Sequence, residues 1–239
     1  MTEFHLLSLP INLGPLRKWA ALRGFGADEG CALHHLLSET FGKGVLQPFR
    51  LMVSPGAASG TLYAYMRPNE AALKQVVAET ALPDALTVCD VAALAAKAMP
   101  QTWKVGRRVA FDLRVRPLKR LIKPVGVFPK GAEVDAFLVK SLRASPQVPP
   151  QGGRLDRAVV YLGWLRERLG EAAKLDQAQM VRYEQRTVLR GGRSQQGPDV
   201  VWHGELTVLD SEKFTARLIG GVGRHTAYGY GMLLLRPVR

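Results

Sequence analysis

His34 and His35, inside the stretch CALHHLLSETF, are the side chains best suited to moving protons near neutral pH, since imidazole titrates there without help from its surroundings. Helical spacing gathers Leu33, Leu36, Leu37 and Phe41 into one buried stripe, which leaves His34 at its border and His35 nearly opposite. A border histidine can touch core and groove together. A second candidate is GGVGRHTAYGYGMLLL, residues 220–235. Gly221 and Gly223 fit the start of a dinucleotide fingerprint, but Thr226 stands where its third glycine belongs, and the loop follows a helix and precedes a strand, the reverse of that motif's order. It has no Gly-Lys-Ser/Thr and so is no Walker loop. Gly221, Gly223, Gly229 and Gly231 can still take positive φ and bring backbone N–H groups close to an anion, with Arg224, His225 and Tyr228 supplying charge and stacking. A softened turn between helix and strand is the plainer use of the same glycines.

Positioning these residues takes a repeated element order. The first half reads as a strand (FHLLSLPIN), a helix (CALHHLLSETFG), two strands (FRLMVS, TLYAYMR) and a helix (NEAALKQVVAET). The second half runs strand (VGRRVAFDLRVR), helix (LDRAVVYLGWLRERLG), two strands (QMVRYEQRTVLR, DVVWHGELTVLD), helix (SEKFTARLIG) and strand (YGYGMLLLRPV). Two tandem ferredoxin-like βαββαβ domains of the α+β class account for both, 1–95 and 103–239, with the join in Ala-rich sequence between 81 and 104. Residues 117–153 contain Pro117, Pro124, Pro129, Pro146, Pro149 and Pro150 among basic residues, and read as a long basic crossing rather than a packed element.

Thirty-three Lys+Arg against twenty Asp+Glu give a net charge of +13 over 239 residues, a field that attracts polyanions and points to nucleic acid as partner. Period-two alternation puts Arg108, Asp112, Arg114 and Arg116 on one face of the strand at 105–116, opposite Val109, Phe111, Leu113 and Val115. The same parity groups Arg182, Glu184, Arg186 and Arg190, with Arg193 in the following turn. Arginine suits phosphate because its fork meets two oxygens at once. No run of about 18 residues is free of charge, so no membrane span is expected. The amino terminus has no signal-peptide pattern, and a cytoplasmic address is the simplest. Cys31 and Cys89 form no CxxC or His/Cys cluster, so neither metal nor other cofactor is expected.

Taken together, ALHHLL, FDLRVRPLKRL, YLGWLRERLG and GVGRHTAYGYGMLLL resemble, in order and over nearly the whole chain, the CRISPR repeat-processing endoribonucleases of the CasE-like branch found in Cascade complexes, members of the RAMP superfamily with RRM-like folds. The resemblance implies metal-independent cleavage of precursor CRISPR RNA at the base of the repeat stem-loop. The ribose 2′-OH attacks the adjacent phosphate, leaving a 2′,3′-cyclic phosphate and a 5′-OH. It also implies retention of the mature guide beside other subunits of an interference complex. The family's helix histidine is matched by His34, with His35 beside it and Arg23 or the glycine loop for the phosphate. Lys119 and Arg120 in RVRPLKRL, together with the arginines of 182–193, are the candidates for holding the duplex backbone. Some members carry a tyrosine three residues before the histidine, where this chain has Cys31, and a lysine in the glycine loop, where it has Thr226. Arg224, His225 or His35 are then the substitutes. A related type IV subunit, whose nucleases can use arginine, gives Arg23 a second role. A stem-loop-binding subunit that does not cleave is the alternative function, and an unrelated DNA-binding role a third.

Overall fold

Alternating burial runs the length of the first strand, His5–Asn12 (β1): Leu7, Leu9 and Ile11 are sealed from solvent while Leu6, Ser8 and Pro10 are half-buried. This is the pattern of a strand with one face in a core. The computed structural model describes residues 3–26, 28–144, 155–190 and 193–238. After β1 come α1 (Leu13–Leu22), α2 (Glu29–Phe41), β2 (Phe49–Met52), β3 (Ser59–Met66), α3 (Glu70–Thr80), α4 (Pro83–Val88) and β4 (Ala95–Ala98). The second half contains β5 (Arg108–Val115), β6 (Leu118–Arg120), β7 (Glu133–Asp135), α5 (Ala136–Arg143), α6 (Arg157–Leu169), β8 (Ala173–Arg190), β9 (Arg193–Val208), α7 (Ser211–Gly220) and β10 (Leu233–Arg236).

Two four-stranded antiparallel sheets result, ordered β2-β3-β1-β4 and β10-β5-β9-β8. In each, the last strand lies beside the first and the second beside the third, which is the ferredoxin-like arrangement, here in tandem. α2 packs Ala32, Leu33, Leu36, Leu37 and Phe41 into the first core, and α6 packs Val160, Tyr161, Trp164, Leu165 and Leu169 into the second. Each fully buried large apolar side chain contributes about 1.5–3 kcal/mol, so these stripes, rather than helix propensity, hold the helices down. Asp28 caps α2 by accepting from Cys31 N–H at 3.0 Å, and Asp156 caps α6 by accepting from Ala158 N–H at 2.7 Å.

Three features differ from the sequence reading. α1 follows β1 without a loop, and the Ala-rich stretch supplies both α4 and the edge strand β4. The proline-rich crossing is not unstructured: β6 and β7 pair as a hairpin, α5 follows, and Leu121, Val134 and Val139 form a small core of their own. Residues 145–154 lie outside the described residues. β8 and β9 make a hairpin far longer than the sheet they join, with register shifts at Leu175/Gln177 and Met180/Arg182. Bulges of this kind sharpen local twist and redirect side chains.

The two units are stitched by hydrogen bonds. Tyr65 donates to Leu233 C=O at 2.8 Å, Gln47 Nε2 to Thr226 Oγ1 at 2.9 Å, Leu189 N–H to Asp28 Oδ2 at 2.6 Å, and Arg50 to Asp112 Oδ1 at 3.3 Å.

Candidate functional site

The first two turns of α2 lie against the glycine loop. The His34 ring lies 4.8 Å from the Tyr228 ring, centroid to centroid, and the His225 ring lies 6.3 Å from it. Contact this close needs a helix without a side chain at the touching point: a Cβ on Gly30 would stand 2.6 Å from the Tyr228 carbonyl oxygen. His35 is exposed, stacks on Phe25 at 4.5 Å and meets His34 edge-on at 5.2 Å. The row continues through Phe25 to Trp19, with the Arg23 guanidinium 4.1 Å above the indole.

The loop is shaped by left-handed backbone. Gly221, Gly223, Gly229 and Gly231 all have φ between 78° and 85°, and His225 (φ 64°) joins them as a non-glycine residue in the same region. The glycines also let neighbours close in: a Cβ on Gly223 would meet the Trp164 ring at 2.8 Å, and one on Gly231 the Val222 carbonyl at 2.7 Å. Trp164, from the YLGWLRERLG helix, therefore wedges this loop while its indole N–H donates to Leu118 C=O at 3.1 Å. Thr226 accepts from Gln47 and packs its methyl against Gly221 and Gly231. Glu133 on β7 takes Arg224 Nε at 2.6 Å on one oxygen and His225 Nε2 at 3.0 Å on the other.

Beside the loop stands a buried charge cluster. Asp199, fully buried, accepts a two-pronged hydrogen bond from Arg114 and a bond from the Tyr230 hydroxyl at 3.0 Å. Arg182 reaches it at 3.3 Å and Arg186 at 3.7 Å. Burial opposes charge on both Arg114 and Asp199, but their mutual hydrogen bonds prevail, holding the guanidinium above its ordinary range and the carboxyl below the usual carboxylate range. Asp112 pairs with Arg50 at 3.3 Å and with His203 Nε2 at 2.7 Å. Burial pulls the Arg50 guanidinium below its ordinary range despite Asp112. Among the described residues Arg50, Arg114, Arg182 and Arg186 thus crowd Asp112 and Asp199, with Glu184 3.8 Å from Arg182, and the positive charge comes to the surface at Arg182 and Arg186, whose side chains are 46% and 30% exposed.

The sequence candidates accordingly separate. His34, Tyr228, His225, Arg224 and the four loop glycines come together, and Arg182 and Arg186 share one face, as parity required. Arg114 and Arg116 are buried rather than on an open basic face. Alternation tells which residues share a side, not whether that side is covered, and here β2 and Tyr230 cover it. Arg108 is exposed and paired with Glu205 at 2.5 Å. Lys119 pairs with Glu167 at 3.2 Å on α6, and Arg120 is exposed on the β6–β7 hairpin. Arg23 is committed to Asp84 at 2.9 Å and to the Trp19 face, at the far end of the aromatic row from Tyr228. The side chains of Arg190 and Arg193 lie outside the described residues. Sequence reasoning missed Gly30, Asp28, Glu133 and Asp199. Gly30, a glycine in the first turn of a helix, and Asp28, an aspartate at its N-cap, were the two with a local signal. Among the described residues no three His, Cys, Asp or Glu side chains stand together as metal ligands, and no helix is long and apolar enough to cross a membrane.

A family model described as CRISPR associated protein matches residues 9–237. No curated protein matches the chain. Among solved structures, CRISPR endoribonuclease Cse3 bound to 19 nt RNA aligns over 98% of this chain and 100% of its own, with TM-score 0.67 and 21% identity. Cas6e from Escherichia coli K-12 aligns over the same shares with TM-score 0.60 and 18% identity. A chain of a CRISPR RNA-guided surveillance complex does so with TM-score 0.59 and 16% identity. At such identities the likeness speaks for the tandem fold, while the family model spans nearly all of the sequence: the chain belongs to the CRISPR-associated protein family.

Proposed function

We propose that this protein is an endoribonuclease that cuts precursor CRISPR RNA at the base of the repeat stem-loop, without a metal ion, and stays on the mature guide as a subunit of an interference complex. The observation that carries the reading is the meeting of His34 with Tyr228 on the glycine loop, beside Arg224. The solved relatives bound to RNA and within a surveillance complex support the substrate and the assembly.

Cleavage by an internal nucleophile asks little of a protein beyond alignment, proton transfer and charge stabilisation. The 2′-oxygen bonds to phosphorus as the P–O5′ bond breaks. The 2′-OH gives up its proton, O5′ takes one, and the products are a 2′,3′-cyclic phosphate and a 5′-OH. His34 and the Tyr228 phenol are the two groups that exchange these protons. Tyr228 thereby does from the second unit what some relatives do with a tyrosine one helical turn before the histidine, where Cys31 is buried here. Arg224, its side chain 45% exposed, and the loop N–H groups face the phosphate charge. Arg182 and Arg186 hold the RNA backbone, with Lys119 and Arg120 on the hairpin. Recognition rests on A-form shape and phosphates, because side chains do not read the narrow major groove of an RNA helix.

The test is incubation of a labelled repeat hairpin with analysis of product ends. Cyclic phosphate should form in excess EDTA and not from a substrate with 2′-deoxy at the scissile position, and His34→Ala should bind the hairpin without cutting it. An unmutated protein that binds tightly and leaves the repeat intact would make this a guide-holding subunit only. Equal affinity for duplex DNA at the same salt would remove RNA from the reading.

A further inference from the structure

We infer that Glu133 is a positioning residue: it fixes the turn that sets Tyr228 against His34, and it ties that turn to the β6–β7 hairpin. The inference rests on the reading above for its kinetic consequence, and on geometry alone for its structural one. His225 is a non-glycine residue held at φ 64°, ψ 28°, a region that L side chains leave unless neighbours keep them there. Its carbonyl accepts from Tyr228 N–H at 2.9 Å, closing the turn that carries the Tyr228 ring. Its imidazole, 10% exposed, is held by Glu133 Oε2 at 3.0 Å, while Glu133 Oε1 holds Arg224 Nε at 2.6 Å. One carboxylate therefore grips two consecutive residues of the loop at the turn's start.

The carboxylate comes from outside the ferredoxin-like frame. Glu133 lies directly across the hairpin ladder from Arg120, with Lys119 opposite Val134, so the basic strand and the gripping strand move as one ribbon. Leu121 N–H to Ala132 C=O at 2.9 Å and Gly131 N–H to Leu121 C=O at 2.7 Å close that ribbon. RNA engaging Arg120 and Lys119 would act on the same two-stranded unit that holds Arg224 and His225. Duplex recognition is thereby linked to the shape of the cutting loop, a specificity device for the proposed reaction.

Three measurements on Glu133→Gln test this, the amide being of equal size but a weaker and single acceptor. Hydrogen exchange of the protein alone should show faster exchange at the Tyr228 and Gly231 amides, with α3 and α6 unchanged. Single-turnover cleavage of the repeat hairpin should fall about 10-fold, with affinity for the 2′-deoxy hairpin within about 3-fold of the unmutated protein. In a Tyr228→Phe background, read on the residual cleavage left without the phenol, Glu133→Gln should add nothing, since a residue that acts by positioning that phenol has nothing left to position. Glu133→Asp, which keeps the charge, should recover part of the loss. Unchanged exchange in the loop overturns the inference whether or not the protein cuts RNA. Faster exchange in a protein that never cuts leaves the grip in place and removes only the nuclease reading. A rate loss of equal size with and without the Tyr228 phenol would make Glu133 a general stabiliser instead.

Discussion

Replacing Gly30 with alanine isolates the contact on which the site depends. Gly30 has ordinary helical backbone, so alanine fits its dihedrals, and an exposed helical glycine replaced this way would gain about 0.5–1 kcal/mol. Here the new methyl would stand 2.6 Å from the Tyr228 carbonyl, where ordinary contact begins at 3.4 Å. The loop must retreat by about 0.8 Å, at an overpacking cost on the order of 1–3 kcal/mol that the helix gain partly offsets. The protein should fold, with a melting temperature lowered by only a few degrees. Tyr228 moves with its carbonyl, and a displacement of this size at reacting groups costs on the order of 100-fold in rate, equivalent to about 2.7 kcal/mol of barrier. Single-turnover cleavage at saturating protein should show that loss, while binding of a 2′-deoxy hairpin, which depends on Arg182 and Arg186, stays within about 3-fold. Cleavage by Gly30→Ala at the unmutated rate would refute the claim that helix and loop must touch for the reaction to proceed.

Three further outcomes follow from the charge cluster. Asp199→Asn strips the buried Arg114 of its counter-charge, a loss of about 3–5 kcal/mol, so the melting temperature should fall by roughly 10 °C; an unshifted melt would mean Arg114 finds compensation elsewhere. Because the Arg114 bonds outweigh burial and hold the Asp199 carboxyl below its unfolded value of about 3.9, its contribution is complete above about pH 4 and is lost as pH falls through the folded value. The urea midpoint should therefore decline more steeply below pH 4 in the unmutated protein than in Asp199→Asn. Arg182→Ala and Arg186→Ala should each weaken hairpin binding and flatten the plot of log affinity against log salt by somewhat less than one unit, with the cleavage rate of bound RNA little changed. An unaltered slope would take that residue out of the RNA groove.

Much of the fold was legible because it rests on period and order: alternation marked β5 and β8, helical spacing marked α2, and the repeated element order marked the two units. α4 and β4 escaped because alanine packs in either form and marks neither. The β6–β7 hairpin escaped because three-residue strands carry no periodic signal, and prolines around them read as a crossing. At the site, His34 stood out by type, and Tyr228 by its place among glycines. Glu133 and Asp199 were invisible because each acts on residues distant in sequence, and nothing around position 133 announces that position 225 will need it. Arg114 and Arg116 were misplaced for the same reason, since the cover on their face comes from β2 and from Tyr230.

The stitching of the two units around His34 and Tyr228 bears on when the candidate site comes into being during synthesis. Position 34 leaves the ribosome long before position 228, and the bonds from Asp28, Gln47, Arg50 and Tyr65 have no counterparts until β8, β5, the glycine loop and β10 have been synthesised. A nascent chain therefore carries the His34 imidazole for most of its synthesis without the Tyr228 ring that lies against it in the finished fold. On the function proposed above, cutting would begin only once the second half has been synthesised and docked, so the order of translation sets the moment at which the site is complete.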